Sequence, residues 1–273
     1  MKSTIPKLTH INSSIPVRYP GSSVSAVTTL DDKVFVLRGQ HVVVHDADTF
    51  TAQRVIVIPG LGSNNSLGLA ACARYKCIYV SDRCHYSVHR AELGDTTAGE
   101  SWSVANDPRG LSVNKAHNLI VACCAAKKLQ EYTMHGILVR EISLEQAGLS
   151  RPWHAIQLSS GEYVVSQDTS PGMIGVVGMN GQIIRRCGES ERSEIQCPRS
   201  LAVTKNDEIL VVDSATSRIL SVNSSLSSIQ ELELPVDGEV HEPFGLCLDE
   251  SRRRLYVGER FGKCRVLIFD VTL

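Results

Sequence analysis

The sequence predicts an all-β, six-bladed β-propeller, on the basis of a repeated phrase, short apolar strands and strong turn signals. Four segments begin with a proline that leads into a short apolar strand, at Pro108, Pro152, Pro198 and Pro243. These prolines recur about 45 residues apart, a period typical of propeller blades. Because each blade must bury its sheet faces against its neighbours, we expect a single domain, 1–273.

The unit that begins at Pro198 shows the strand pattern of one blade most clearly. Apolar or alternating runs predict strands at 200–203, 209–213, 218–222 and 229–234, with polar turns between them. In the preceding unit, Asn180-Gly181 joins the last two strands and is a strong hairpin signal, because both turn residues tolerate positive φ. The predicted blades span about 21–62, 63–106, 107–150, 151–196, 197–241 and 242–273.

The last blade is one strand short, since the chain supplies only three strands after Pro243. An unpaired outer edge would invite aggregation. We therefore expect the N-terminal segment 1–20 to pair with that edge and to complete the last four-stranded antiparallel blade. This pairing would close the ring. The alternative is a disordered N-terminal tail.

Composition excludes several classes of protein. Lys and Arg number 28 against 29 Asp and Glu, so any nucleic-acid signal must come from one face.

Nine cysteines without a Cys-x-x-Cys spacing predict buried, reduced thiols rather than disulfides or a metal site, and hence a cytoplasmic location. The N-terminus has no apolar signal region, and no apolar run approaches the ~20 residues needed to cross a bilayer. We expect no membrane contact, no metal, no cofactor and a monomeric propeller.

Three phrases of the fifth blade carry a family resemblance. Pro198 to Val203 begins the first strand, Val211-Val212-Asp213-Ser214 ends the second, and Arg218-Ile219 starts the third. This pattern resembles the NHL repeat, and the chain is similar to the C-terminal propeller of TRIM-NHL proteins. The resemblance implies recognition of protein partners or RNA, within a ubiquitin-ligase system whose RING finger, B-boxes and coiled coil are not in this sequence.

The propeller topology predicts that loops entering the first strands share a face with loops between second and third strands. Cations and aromatic residues concentrate in these loops, whereas acidic residues dominate the opposite loops. This combination suits an anionic peptide or a nucleic acid. The predicted ligand-binding face comprises Arg83, Arg109, Lys127, Lys128, Arg151, Trp153, His154, Arg199, Arg218, Phe244, Arg260 and Phe261.

Structural roles are the alternative for several of these residues. Trp153 and Phe244 could plug the central channel instead of facing solvent. Lys127 and Lys128 could be a solvated loop, and Arg218 could pack against a neighbouring blade.

The function predicted from sequence is a non-catalytic module that binds a protein partner through this face. The alternative is binding of single-stranded or stem-loop RNA on the same face. A remote alternative is a calcium-dependent hydrolase or lactonase. We expect no enzyme, because the starts of the first strands supply no carboxylate for calcium and no recognisable catalytic motif occurs.

Overall fold

The computed structural model describes residues 7–15, 23–62, 67–94, 99–169, 171–188, 194–235 and 239–272. Of residues 10–13 only the backbone is described. The described residues form six four-stranded antiparallel sheets and contain no helix. The predicted fold class, an all-β six-bladed propeller, is confirmed.

The first three blades follow one closing strand in the chain. Their strands are β1 (Lys7–Ile15), β2 (Val24–Leu30), β3 (Lys33–Arg38), β4 (His41–Asp46), β5 (Ala52–Val57), β6 (Leu69–Cys72), β7 (Cys77–Asp82), β8 (Ser87–Glu92), β9 (Gly99–Ser103), β10 (Pro108–Val113), β11 (Leu119–Cys123), β12 (Lys128–Tyr132) and β13 (Leu138–Ser143).

The remaining blades complete the ring. Their strands are β14 (Pro152–Gln157), β15 (Tyr163–Gln167), β16 (Met173–Val177), β17 (Ile183–Gly188), β18 (Pro198–Val203), β19 (Ile209–Asp213), β20 (Arg218–Val222), β21 (Ile229–Glu231), β22 (Pro243–Asp249), β23 (Arg254–Glu259) and β24 (Val266–Thr272).

The N-terminal strand closes the ring as expected. The last sheet has the order β1-β24-β23-β22, with Lys7 opposite Thr272 and Ile15 opposite Val266. The paired part of the predicted segment is Lys7–Ile15, and its ends, 1–6 and 16–20, lie outside the described residues. The outer edge of β24 is thereby covered, which removes the unpaired edge that the sequence left open.

The apolar core lies between neighbouring blades. One buried cluster joins Phe35 and Leu37 of the first blade to Ile78 and Val80 of the second. Similar clusters fill the other spaces between blades. Each sheet therefore needs both neighbouring sheets to bury its apolar faces, so the blades are stable only as part of the ring.

The first strand of each blade lies next to the propeller axis. In four blades it begins at a proline, and the register shifts immediately after that proline, as in the pairs Pro152↔Gln167 and His154↔Ser166. A proline at a strand start costs no ladder donor, and a bulge re-aims the next side chain. The residue after the proline is thereby turned toward the axis.

We predict that β1 contributes to stability through its buried side chains. Ile15 is fully buried in a cluster with Val24 and Tyr256, whereas Thr9 on the same strand is exposed. The Ile15→Ala variant should lose about 2–5 kcal/mol of unfolding free energy because it leaves a cavity. Thr9→Ala should change it by less than about 0.5 kcal/mol. Denaturant unfolding of the two variants checks this, and equal stabilities would show that β1 does not hold the ring together.

Candidate functional site

Three apolar side chains close the axis on the face where the first strands begin. Leu67, Trp153 and Phe244 form a buried cluster, and the two rings meet edge to face with centroids 5.4 Å apart. We call these three residues the axial plug. Trp153 and Phe244 are only 6% and 5% exposed, so the plug alternative is correct and neither ring stands free on the surface.

Three arginines lie against the axial plug. The guanidinium carbon of Arg199 lies 3.8 Å from the centroid of the Trp153 ring, and that of Arg109 lies 4.3 Å from it. The guanidinium of Arg260 lies 4.4 Å from the centre of Phe244, which Arg199 also approaches at 5.4 Å. Electron-rich ring faces attract cations, and the contact is stronger where water is excluded.

Asp107, which directly precedes β10, is paired with two arginines. Its carboxylate is paired with Arg83 and accepts bonds from Nε and Nη2 of Arg109 at 3.1 and 3.0 Å. Burial would raise the pKa of Asp107, but these hydrogen bonds outweigh it and hold the pKa below its usual value. The Asp107 carboxylate is therefore charged and fully engaged with arginine.

Asp168 collects three arginines from three successive blades. Its Oδ2 lies 3.1 Å from Nη1 of Arg109, 3.1 Å from Nη1 of Arg199 and 3.4 Å from Nη2 of Arg151. We call Arg83, Arg109, Arg151, Arg199 and Arg260 the axial arginine site.

Two arginines of this site keep unused hydrogen-bond donors. No carboxylate of the described residues lies within 4.0 Å of the Arg260 guanidinium, although burial and the charges of Arg199 and Arg83 lower the pKa of Arg260. The Nε of Arg199 is buried without a hydrogen-bond partner among the described residues. Arg199 is paired with Asp168, whereas Arg260 is a partly desolvated cation without a carboxylate partner among the described residues, and such a cation attracts an anion.

The other predicted cations lie away from the axis and are paired. Lys128 bonds Glu141 at 2.6 Å, Lys127 lies 3.6 Å from Glu145, and Arg218 lies 3.3 Å from Glu231. These carboxylates belong to or follow the outer strands β13 and β21. For these three residues the structure supports the alternative of a solvated or structural role.

His154 is the one predicted face residue that the structure places inside the wall. Its Nε2 donates to the carbonyl of Leu111 at 2.9 Å, and its Nδ1 accepts from the amide of Leu201 at 3.0 Å. It packs directly on Gly110, where any Cβ would collide with its ring. Burial lowers the pKa of His154, so its ring is neutral. Its two hydrogen bonds connect the first strands of three neighbouring blades. It therefore does not lie on the loop face with the arginines, where the sequence analysis placed it.

Phe261 is exposed, as the sequence predicted. Its ring is 56% exposed and lies 5.5 Å from the guanidinium carbon of Arg260. Tyr86, in the corresponding loop of the second blade, is also exposed. These two rings are free apolar surface in the loops that surround the axial arginine site.

The sequence did not reveal Asp168 as the organiser of the site. In the fifth blade, Asp213 at the end of the second strand accepts the amides of Gln196 and Cys197. In the fourth blade Gln167 holds that register position and accepts the amide of Ser150 instead. The next residue, Asp168, is thereby free to bind arginine. The sequence feature that could have revealed this role is the position of Asp168, which lies one residue later in its blade than Asp213 does in the fifth blade.

A cavity of about 250 Å³ lies along the axis next to the plug, lined by the first strands of all six blades. Its titratable lining groups are His154 and Cys247. Burial lowers the pKa of the histidine and raises that of the thiol, so both are neutral. The charged chemistry of the axis therefore lies in the arginine site and not in this cavity.

Other kinds of site find little support in the described part of the chain. No group of three His, Cys, Asp or Glu side chains there could hold a metal ion. None of the nine cysteines forms a disulfide. Within the described ranges, no helix is long and apolar enough to cross a membrane.

No protein-family model and no curated protein matches this chain. Solved structures do match it. A streptogramin B lyase aligns over 98% of this chain and 98% of its own length, with a TM-score of 0.72 and 11% identity. Virginiamycin B lyase from Staphylococcus aureus aligns over 98% and 99%, with a TM-score of 0.67 and 13% identity. A chain of a nidogen/laminin complex aligns over 83% and 85%, with a TM-score of 0.64 and 17% identity.

These matches correct one expectation and leave another open. The exclusion of an enzyme from the sequence is wrong, because lyases share this propeller fold over nearly their whole length. At such low identities the likeness shows the fold and assigns no reaction. The NHL resemblance stays a prediction, as do the RNA and ubiquitin-ligase roles that it implied.

The buried His154 should make stability depend on pH. The folded protein keeps this ring neutral, whereas the unfolded chain takes up a proton below about pH 6.5. Unfolding free energy should therefore fall as the pH drops from 7 to 5, with a contribution from His154 of up to about 1.4 kcal/mol per pH unit.

The His154→Gln variant should show a shallower fall than the wild type, and His41→Gln, which alters an exposed ring, should keep the wild-type slope. Denaturant unfolding at several pH values measures this. Parallel curves for His154→Gln and the wild type would contradict the buried neutral role.

Proposed function

We propose that this chain is a protein-recognition module that binds an acidic segment of a partner protein at the axial arginine site. The observation that carries the proposal is Arg260, a half-buried guanidinium held against Phe244 with no carboxylate of the described residues in reach. A cation held in this way costs stability in the free protein, and such strain is a common mark of a functional group.

Preorganisation supports the same proposal. The rings of Trp153 and Phe244 contact the guanidinium groups of Arg199 and Arg260 before a ligand arrives, so less side-chain entropy remains to be lost on binding. Arginine and aromatic side chains also dominate the binding energy of protein interfaces. The exposed rings of Phe261 and Tyr86 offer apolar contacts around the charged centre.

The alternatives from the sequence are less well matched. Binding of single-stranded RNA relies on free ring faces for base stacking; Trp153 and Phe244 are buried against guanidinium groups, so Phe261 and Tyr86 are the exposed rings of this face. A calcium-dependent site needs several free oxygen ligands, whereas Asp107 and Asp168 are engaged by arginines that would repel the ion.

Two further observations support protein binding and a cytoplasmic location. One matching structure comes from a nidogen/laminin complex, which is consistent with protein binding by propellers in general. Nine cysteines without a disulfide suit the reducing cytoplasm. We include a cytoplasmic location in the proposal.

The test is fluorescence anisotropy of the full chain with a labelled twelve-residue Glu/Gly/Ser peptide. Replacing Arg260 by Gln should weaken peptide binding by about tenfold or more, because a charge-assisted hydrogen bond contributes about 1.5–3 kcal/mol. Arg74→Gln is the matched control. Arg74 also lies over a ring, 5.8 Å from the centre of Tyr75, in the turn between β6 and β7 at the opposite end of the blade.

Equal losses in Arg260→Gln and Arg74→Gln would show that net charge alone drives binding. A labelled twelve-residue oligouridylate that binds the wild type when the acidic peptide does not would make the chain an RNA reader and overturn the proposal.

A further inference from the structure

We infer that the axial arginine site is built for a phosphate monoester, so that the segment it recognises carries a phosphorylated side chain. This inference rests on the proposed function and names the group that the site takes.

The positive charges at the axis outnumber the negative ones. Five guanidinium groups converge there, and the ion pairs of four of them are made with only two carboxylates, Asp107 and Asp168. A single carboxylate from a partner would leave most of the surplus in place. A phosphate monoester carries up to two negative charges and three acceptor oxygens, and it therefore matches the surplus better.

The unused hydrogen-bond donors belong to two arginines that contact the same ring. Arg199 and Arg260 share the Phe244 ring, with guanidinium carbons 5.4 and 4.4 Å from its centre. Arg260 makes no side-chain hydrogen bond to the described residues, and Nε of Arg199 makes none. Stacking on a ring leaves the N–H donors of a guanidinium in its own plane, where they can grip phosphate oxygens in pairs.

The cations of the axial arginine site repel one another. The charges of Arg199 and Arg83 act on Arg260 across a partly desolvated space and lower its pKa, after burial itself. A dianion placed among the three groups reverses this repulsion. The axial plug beneath them closes the channel, so the ligand is a compact group bound end-on and not a ring that enters the axis.

The test uses two peptides of the same sequence that differ at one position, phosphoserine against glutamate, with isothermal titration calorimetry on the full chain. The phosphoserine peptide should bind the wild type and Arg74→Gln at least about tenfold more tightly than the glutamate peptide. Its affinity should fall as the pH drops through the second phosphate pKa, near 6. Arg260→Gln should lose this preference, and Arg260→Lys should recover only part of it, because lysine cannot bind two oxygens in one plane.

Thermal unfolding separates a ligand site from a structural role. Inorganic phosphate should raise the melting temperature of the wild type and Arg74→Gln but not of Arg260→Gln. Without phosphate, Arg260→Gln should melt close to the wild type, because losing the ring contacts of the guanidinium is offset by removing a partly buried, unneutralised cation. A markedly lower melting temperature would assign Arg260 to structure and overturn the inference.

The outcomes also distinguish this inference from the proposed function. If both peptides bind the wild type equally and both depend on Arg260, acidic recognition stands and the phosphate preference is wrong. If neither peptide binds, both proposals fall.

Discussion

The constraint on which the rest of the structure depends is the filling of the propeller axis. Six first strands converge there, and the four that begin at a proline each present the residue after that proline. In this chain two of those residues, Trp153 and Phe244, form the axial plug with Leu67, which precedes β6, and the other two are Arg109 and Arg199. Because rings occupy the axis itself, the arginines lie against them, and their charges are gathered in one small, partly dry region.

This arrangement explains why the ionic network is incomplete. Each carboxylate at the axis is shared among arginines, and the plug offers ring faces instead of further anions. A ring face stabilises a guanidinium less than a carboxylate does, but it leaves every N–H donor available. The same packing that closes the channel therefore leaves Arg260 without a carboxylate partner, and the Nε of Arg199 without a hydrogen-bond partner, among the described residues.

The repeats and turns made the fold predictable from sequence, including closure by the N-terminal strand, because periodicity and an unpaired edge are local and countable. The site was less predictable. Lys128 and Arg218 matched the pattern of a basic face, but outer-strand carboxylates pair with them in space. His154 read as a surface residue because its contacts with Leu111 and Leu201 come from neighbouring blades. Contacts between blades leave no periodic signal. Nor did the missing catalytic motif exclude an enzyme, since lyases share this fold.

The most direct measurement is a phosphate titration followed through the Nε–Hε resonances of the arginines by NMR, assigned with single Arg→Gln variants. The account predicts that Arg260 and Arg199 shift together and saturate with one binding constant. The resonance of Arg218, whose guanidinium donates to Thr216 and Glu231, should not shift. Shifts confined to exposed arginines such as Arg74, or no saturable shift at Arg260 and Arg199, would contradict an anion site at the axis.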